Sequence, residues 1–381
     1  MITLFKGGKN MSIFQKIAAV VIAALTTFAN VTGYFGLETT DPGDYETYKN
    51  VIIMIGDGMG FNHLEATKQK YGIDELYMEN VVVKSESKTN SLFWATTDSA
   101  AGGTALSSGI RTINGMVGTY AFDPLKVFAT PKSVTEVAME QGKATGVITT
   151  DETSGATPSS FSAHTYSRGN DVDITEQQLA SDIDLIWGGY NGLATADVVS
   201  AAGRTYIGSA TDLANFDGET KSFGQFNFDD LKYVTNNFDT PTIEVMTEKA
   251  IDILSQDEDG FFLMVEGACI DKHSHSNDIE NMMLSTYEFD KAVGAALEFA
   301  EEDGETLVII TADHETGGLT YDAETDSYYW TRTGHSSANV PLFINKSDAG
   351  FVNGAAYKNR HISAQVGLVL GAEKGSYPCA K

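Results

Sequence analysis

The feature that most constrains the fold is a set of short apolar runs, each followed at once by polar residues. The run at 50–55 is rich in β-branched residues and leads into the glycine-rich stretch 56–60. A short run without polar alternation is typical of a strand that is buried on both faces. Similar runs recur at 144–149, 261–265 and 306–310, separated by stretches with helical spacing. This alternation predicts an α/β fold with a doubly wound, mostly parallel central sheet and helices on both faces.

The polar residues that end these runs share one position in the predicted sheet. Asp57 follows the first run, Glu266 follows the run at 261–265, and Asp313 and His314 follow the last. The carboxyl ends of parallel strands meet at one edge, where open α/β sheets bind ligands. We therefore expect these side chains to lie close together.

Composition limits the organisation and the partners of the chain. Among 381 residues, 52 are acidic and 25 basic, which gives a formal net charge of −27 and argues against nucleic acid or an anionic membrane as partner. We expect one domain over 30–381, with an irregular inserted region at about 190–240, where periodicity is weak. With only Cys269 and Cys379, the fold does not depend on a disulfide framework, and their spacing leaves open whether they pair.

Residues 1–29 have the features of a secretory signal peptide. They contain three lysines and no acidic residue, an apolar run at 17–25, and a Thr-Phe-Ala stretch at 27–29 that resembles a cleavage site. The apolar run is short for a membrane span. We therefore predict a periplasmic or secreted protein. A buried N-terminal helix is the alternative, and the sequence leaves open whether Met11 is the true start.

A cluster of carboxylates and imidazoles is predicted near the same sheet edge. Asp271 and His275 stand four residues apart, so they share one face of a helical turn, and His335 lies in a later loop. This is the ligand type that zinc prefers where one position stays open for chemistry. Two such groups fit a two-metal site, with the metals about 4 Å apart, suited to displacement at phosphorus. The remaining histidines lack this placement, and we interpret them as structural or surface residues: His63, His164, His273 and His361.

Six segments together resemble the alkaline phosphatase family. They are residues 55–60, 97–102, 156–158 with Arg168, 266–275, 311–318 and 334–335. Each segment alone is a weak signal, but all six in this order are highly specific. The resemblance runs from about residue 50 to residue 335. It implies an exported homodimer that hydrolyses phosphate monoesters with two Zn²⁺ and one Mg²⁺ per chain.

The resemblance implies a role for each site residue. Ser99 would be the phosphorylated nucleophile, Arg168 would clamp the phosphate, and Lys272 would contact it through water. The implied metal ligands are Asp271, His275 and His335 for one zinc, Asp57, Asp313 and His314 for the second, and Asp57, Thr157 and Glu266 for magnesium. These roles agree with the chemistry, because a serine hydroxyl needs activation to become a nucleophile. Arginine can also hold two phosphate oxygens at once, which lysine cannot.

Gly155 departs from the family pattern. Two residues before the threonine ligand, many bacterial members carry Asp and animal members carry His. A glycine there predicts a gap around the magnesium and weak magnesium binding, unless Glu152 or a neighbouring carboxylate fills the gap.

Two alternatives compete with hydrolysis of monoesters. The first is a phosphodiesterase or sulfatase of the same superfamily. Sulfatases oxidise a Cys or Ser that is followed two residues later by Pro, and this chain has Ala101 at that place. Diesterases of the superfamily commonly use Thr as the nucleophile and lack the equivalent of Arg168. The second is a non-catalytic, metal-dependent phosphate binder, which would need Arg168 but no activated Ser99.

Overall fold

A computed structural model describes residues 46–120 and 130–372 of the chain. The predicted signal peptide at 1–29 and Cys379 fall outside these ranges, whereas Cys269 lies within them and is buried. Within the ranges, every helix is too short or too polar to span a lipid bilayer.

The described residues form the strands β1 (Asn50–Gly56), β2 (Val83–Lys88), β3 (Ala144–Glu152), β4 (Leu185–Gly189), β5 (Thr205–Ile207), β6 (Ser222–Phe226), β7 (Phe261–Gly267), β8 (Thr306–Thr311), β9 (Glu315–Thr316), β10 (Leu319–Asp322), β11 (Ser327–Trp330), β12 (His335–Ser336), β13 (Val340–Ile344) and β14 (Ala356–Lys358). Ten of them form one central sheet, in the order β14-β2-β13-β8-β1-β7-β3-β4-β6-β5. The other four form two small sheets, β10-β11 and β12-β9. β13 is antiparallel to both of its neighbours, and the other pairs of the central sheet are parallel. The prediction of a mostly parallel sheet is therefore confirmed.

Helices cover both faces of this sheet. They are α1 (Phe61–Tyr71), α2 (Ser99–Ser108), α3 (Val134–Glu140), α4 (Ala156–Ser162), α5 (Asp171–Ala180), α6 (Ala196–Ala201), α7 (Ala210–Asn215), α8 (Phe228–Tyr233), α9 (Ile243–Leu254), α10 (Cys269–His275), α11 (Ile279–Asp303) and α12 (Asn359–Val369). Strand β1 shows how the faces divide, because successive side chains point to opposite sides. Ile52 and Met54 pack into a core with α1, α9 and α11, whereas Val51, Ile53 and Ile55 pack into a second core with α2, α3, α4 and α12. The predicted doubly wound arrangement is confirmed.

The region at 190–240 is more regular than we predicted from the sequence. It contains the short helices α6, α7 and α8 and the strands β5 and β6, which extend the central sheet beyond β4. Phe223 and Phe226 of β6 are fully buried. The prediction of an irregular insertion was wrong because these strands are only three and five residues long, too short to show a period between turns.

Two further helices were also missed. α1 buries few apolar side chains, among them Leu64 and Ala66, so its sequence shows little amphipathic pattern. The polar residues of 151–168 predict a loop leading toward a helix, but the structure forms α4 within this segment, and α4 carries Thr157. Both helices follow directly after the carboxyl end of a strand, so both lie beside the predicted site.

Asn50 links the starts of three central strands at the opposite edge. Its side-chain oxygen accepts the N–H of Phe261 at 3.1 Å, and its Nδ2 donates to Thr306 Oγ1 at 3.1 Å and to Asp303 Oδ2 at 3.2 Å. Asn50 is buried. The start of β1 is thus fixed to the starts of β7 and β8 by side-chain hydrogen bonds as well as by the strand pairing.

We expect Asn50→Ala to lower the free energy of unfolding by about 1–3 kcal/mol, because a buried N–H of Phe261 loses its acceptor. Urea unfolding measures the change. Asn215→Ala is the matched control, since Asn215 is exposed and makes one local bond to Thr211, and it should stay within about 0.5 kcal/mol of wild type. Equal unfolding midpoints for the two variants would contradict this role of Asn50.

Candidate active site

The strand register brings the predicted site residues to one level of the sheet. Ile55 of β1 pairs with Glu266 of β7 on one side and with Thr311 of β8 on the other. Asp57 lies two residues after Ile55, and Asp313 lies two residues after Thr311. The expectation that these carboxylates meet at the carboxyl edge is confirmed by the register.

Two glycines allow the segments of the site to approach closely. Gly58 has φ +72°, and a Cβ there would lie 2.9 Å from the Cβ of Asp271. A Cβ on Gly102 in α2 would lie 2.9 Å from the carbonyl oxygen of Asp313. Only glycine fits at both positions without a shift of the neighbouring chain. The turn after β1 and the start of α2 can therefore contact the same group of ligands.

Asp271, His275 and His335 form the first group of candidate metal ligands. As predicted, α10 places Asp271 and His275 on one face, and Asp271 Oδ2 lies 3.3 Å from His275 Nε2. His335 Nε2 lies 3.7 Å from Asp271 Oδ1 and 3.0 Å from His275 Nε2. These three side chains can present one ligand atom each to a single ion.

The hydrogen bonds of the two imidazoles determine which nitrogen carries the proton. His275 Nδ1 lies 2.5 Å from the carbonyl oxygen of Thr333, and His335 Nδ1 lies 2.9 Å from that of Thr97. A carbonyl only accepts, so each Nδ1 is assigned as the donor. In the neutral rings both Nε2 atoms then carry lone pairs directed at the same point, beside a carboxylate. A cation between them would relieve this repulsion, so the group fits a metal ion.

Asp57, Asp313 and His314 are the second predicted group. The three ligand atoms that lie close enough together to share one ion belong to Asp57, Asp271 and His314. His314 Nε2 lies 3.2 Å from Asp313 Oδ2 and 3.6 Å from Asp57 Oδ1. Neither of these two buried carboxylate oxygens has a hydrogen-bond partner among the residues that the structure describes. Buried charged oxygens without partners are costly, and a bound cation would compensate for them.

Thr316 joins the two groups, a role that the sequence analysis missed. Its hydroxyl donates to Asp271 Oδ1 at 2.5 Å and lies 3.2 Å from His314 Nδ1. Since the hydroxyl proton points to Asp271, the oxygen is assigned as the acceptor from His314 Nδ1. This again leaves Nε2 of His314 with a lone pair facing the carboxylates. The sequence feature that could have indicated this role is the position of Thr316 two residues after the predicted ligand His314.

Burial and mutual repulsion shift the pKa values of this cluster. Burial raises the pKa of Asp57 well above its usual range, and the neighbouring Asp313 and Asp271 raise it further. Burial and Asp271 raise the pKa of Asp313 to about 7. Burial lowers the pKa of His314 well below its usual value, assisted by His335. The fold therefore holds a neutral His314 imidazole among carboxylates whose ionised forms need added positive charge.

Glu266 and Thr157 are the other two members of the predicted magnesium set, which also contains Asp57. Glu266 Oε2 accepts the hydroxyl of Thr149, and burial together with Asp151 raises the pKa of Glu266 to about 8. Thr157 Oγ1 is buried and close enough to Glu266 to lower the pKa of that carboxyl, but within the described ranges it makes no hydrogen bond of ordinary geometry. A carboxylate and a hydroxyl are oxygen ligands of the kind that magnesium takes.

The space beside Gly155 is filled, so the expectation of a gap there was wrong. A Cβ on Gly155 would lie 2.5 Å from Asp151 Oδ2 and 2.8 Å from its Cγ. The same carboxylate pairs through Oδ1 with Lys272 Nζ at 2.8 Å. The backbone N–H of Asp151 donates to Thr149 Oγ1 at 2.8 Å, and the Thr149 hydroxyl in turn donates to Glu266. Asp151 at the end of β3 thus brings a carboxylate to this place from a different position in the chain.

Ser99 is the first residue of α2, as predicted, and is buried, with Oγ 3.2 Å from His314 Nε2. Asp98 caps the helix by accepting the Ala101 N–H at 3.0 Å through Oδ1. Its Oδ2 accepts the Gly115 N–H at 2.9 Å and lies 3.4 Å from Arg168 Nη1. From the sequence alone, either Asp98 or Thr97 could cap this helix. The structure shows that Asp98 also orients Arg168, whose side chain is 43% exposed and free to meet a substrate from solvent.

Three of the remaining histidines make structural contacts. His63 is fully buried, and its Nδ1 accepts the Gly60 N–H at 3.2 Å while its Nε2 lies 3.1 Å from Ser274 Oγ. This places His63 between the turn that holds Asp57 and the helix α10. His164 and His273 face backbone carbonyl oxygens, and His361 lies within α12.

Comparisons with known proteins agree with this geometry. A family model described as alkaline phosphatase matches residues 48–192 and 188–367. Alkaline phosphatase 4 of Bacillus subtilis is 32% identical over 367 residues, covering 89% of this chain and 78% of the relative. The alkaline phosphatase of Escherichia coli is 32% identical over 337 residues, covering 70% of each.

Solved structures show the same relationship. The alkaline phosphatase of the Antarctic bacterium TAB5 superposes with a TM-score of 0.71 and 28% identity, covering 86% of this chain and 98% of the other. A histidine-to-aspartate variant of that enzyme, with magnesium bound in a site called M3, gives a TM-score of 0.72 at 29% identity, covering 86% and 99%.

The family match spans most of the chain, and the candidate site has residue groups that can hold metal ions. Metal cofactors are therefore part of the site. This chain is a member of the alkaline phosphatase family, a hydrolase that releases phosphate from phosphate monoesters.

Proposed function

We propose that Ser99 is the nucleophile of a two-step hydrolysis. In the first step the Ser99 oxygen bonds to phosphorus as its proton passes to solvent, the bond from phosphorus to the ester oxygen breaks, and that oxygen takes up a proton from solvent to leave as the alcohol. In the second step water adds to the phosphoserine and the bond from phosphorus to the serine oxygen breaks. The supporting observation is the contact between Ser99 Oγ and His314 Nε2, which sets the hydroxyl against the second ligand group.

We assign two Zn²⁺ and one Mg²⁺ to the three ligand sets. Asp271, His275 and His335 would hold one zinc, Asp57, Asp313 and His314 the second, and Asp57, Thr157 and Glu266 the magnesium. When bound, these cations would polarise the phosphoryl oxygens and stabilise the charge that develops in the reaction. The magnesium at M3 in the TAB5 variant supports magnesium for the third set.

Arg168 and Lys272 would provide the positive side chains for the phosphate. Arg168 is held by Asp98 close to Ser99, so its planar guanidinium can bind two phosphate oxygens. Burial alone would lower the pKa of Lys272, but Asp151 raises it above its usual range. Lys272 therefore stays charged, and we propose that it contacts the phosphate through water.

The two alternatives are less well supported by the site. Diesterases and sulfatases of the superfamily differ at the positions of Ser99, Ala101 and Arg168, and this chain has the monoesterase pattern at each. A pure phosphate binder would have no use for a serine fixed at the helix start against His314.

On the pattern of residues 1–29 and the family resemblance, we also propose export from the cytoplasm and a homodimer. Size-exclusion chromatography with light scattering tests the homodimer.

Ser99→Ala is expected to lower kcat for 4-nitrophenyl phosphate by at least about a thousand-fold, because it removes the attacking oxygen. Zinc content by elemental analysis should stay at the wild-type level. Ser276→Ala is the control, since Ser276 is exposed at the end of α10 and should keep wild-type turnover. Near-normal turnover of Ser99→Ala would refute the nucleophile, and faster cleavage of bis(4-nitrophenyl) phosphate by wild type would favour the diesterase.

Removal of the metals by a chelator is expected to abolish turnover and to lower the thermal midpoint, because Asp57, Asp313 and Glu266 are then buried without compensating charge. Zinc should restore both properties better than calcium, since three of the ligands are imidazoles. Turnover and differential scanning calorimetry measure the two effects. Full recovery with calcium alone would argue against zinc at the histidine-containing sets.

Asp151→Asn is expected to weaken magnesium binding by about 10–100-fold, the usual effect of losing a carboxylate around a metal site. Calorimetric titration of zinc-loaded protein with magnesium measures this directly. Gly155→Asp should not tighten binding, because the new side chain would collide with Asp151. Glu152→Gln is the control for the neighbouring carboxylate. If Gly155→Asp binds magnesium more tightly than wild type, Asp151 does not fill that place.

A further inference from the structure

We infer that Trp94 forms a binding surface for an aromatic ring in the leaving group of the substrate. The inference rests on the proposed function, since it requires a phosphate monoester positioned for attack by Ser99. It narrows the substrate class to monoesters in which a ring lies a few bonds from the ester oxygen.

The first observation is a shallow cavity beside the site that is widely open to solvent, with a volume of about 530 Å³. Thr97 and Asp98, which immediately precede Ser99, form part of its wall together with Trp94, and His275 and His335 form another part. The cavity therefore lies next to the first ligand group and next to the start of the nucleophile helix.

The second observation concerns the direction in which the leaving group departs. In phosphoryl transfer the attacking and departing oxygens lie roughly in line, on opposite sides of phosphorus. Ser99 is only 4% exposed and contacts His314 in the interior. In-line attack therefore puts the departing oxygen on the side of phosphorus opposite Ser99. The cavity lined by Trp94 opens to solvent next to Asp98, the residue before Ser99, and next to His275 and His335.

The third observation is the indole itself. Trp94 is 49% exposed, and Phe93, which is 51% exposed, packs edge-to-face against it with ring centroids 5.9 Å apart. An apolar ring of this size gains from being covered. Aromatic rings pair with one another in offset or edge-to-face geometry, which an aliphatic leaving group cannot reproduce.

The loop that carries Trp94 is fixed relative to the site. Ser91 Oγ donates to the carbonyl oxygen of Trp94 at 3.5 Å, and Asn114 Nδ2 donates to that of Thr96 at 3.3 Å. His335 Nδ1 donates to the carbonyl oxygen of Thr97 at 2.9 Å. These bonds hold the backbone of residues 94–97 beside a candidate metal ligand, and the Trp94 side chain lines the cavity from this backbone.

A pair of alkyl monoesters tests the inference. The esters are 2-phenylethyl phosphate and ethyl phosphate, which both release a primary alcohol and differ chiefly in the ring. Wild type should show the higher kcat/KM for 2-phenylethyl phosphate. Trp94→Ala should reduce the ratio of the two kcat/KM values by about 2- to 10-fold, the range measured for aromatic pairs, and Trp94→Phe should keep most of it. Phe238→Ala, which removes an aromatic that is 65% exposed and does not line this cavity, should leave the ratio unchanged.

The phosphonate analogues of the two esters provide a readout that needs no turnover. The ratio of their inhibition or dissociation constants should shift in Trp94→Ala as the kcat/KM ratio does. An unchanged ratio in Trp94→Ala, for both esters and phosphonates, would overturn the role of Trp94 while leaving the proposed function intact. If wild type hydrolyses neither ester, the proposed function fails. If wild type then also binds the two phosphonates with equal affinity, the binding surface for a ring at Trp94 fails too.

Discussion

The repulsion among buried carboxylates is the constraint on which the site depends. Asp57, Asp313, Asp271 and Glu266 are all buried within one small region, where burial and the neighbouring negative charges raise the pKa of Asp57, Asp313 and Glu266. Such a cluster is stable only where bound cations compensate for it. The parallel register, the glycines at close approaches and the neutral His314 together hold these oxygens close to one another.

The residues around the ligands specify how each ligand presents itself. Backbone carbonyls of Thr97 and Thr333 fix the two imidazoles of the first group, and the Thr316 hydroxyl fixes His314. These contacts leave Nε2 as the free nitrogen in every case. The ligand atoms are therefore oriented by the fold itself, so a metal ion does not have to reorganise the side chains that bind it.

Much of this arrangement was predictable from sequence because β-strand ends are local features. The apolar runs at β1, β7 and β8 and the polar residues after them predicted both the sheet and its functional edge, and the motif order predicted the family. The sequence left open that a neighbouring carboxylate fills the place beside Gly155, but it did not identify Asp151, because this carboxylate comes to lie there through the turn after β3. Likewise, β5 and β6 become recognisable only by pairing with β4, since each is too short to carry a period of its own.

The hydrogen bond from His335 to Thr97 has a consequence for how the site is assembled. Its partners are separated by 238 residues, and most of the central sheet is formed by the chain between them. Contacts of such long range close late in folding, because the loop entropy must be overcome before they contribute. The first ligand group is therefore complete only when nearly the whole domain has folded. Tight metal uptake would accordingly mark the end of folding, and a truncated or half-folded chain would hold its carboxylates too far apart to compete for the ion.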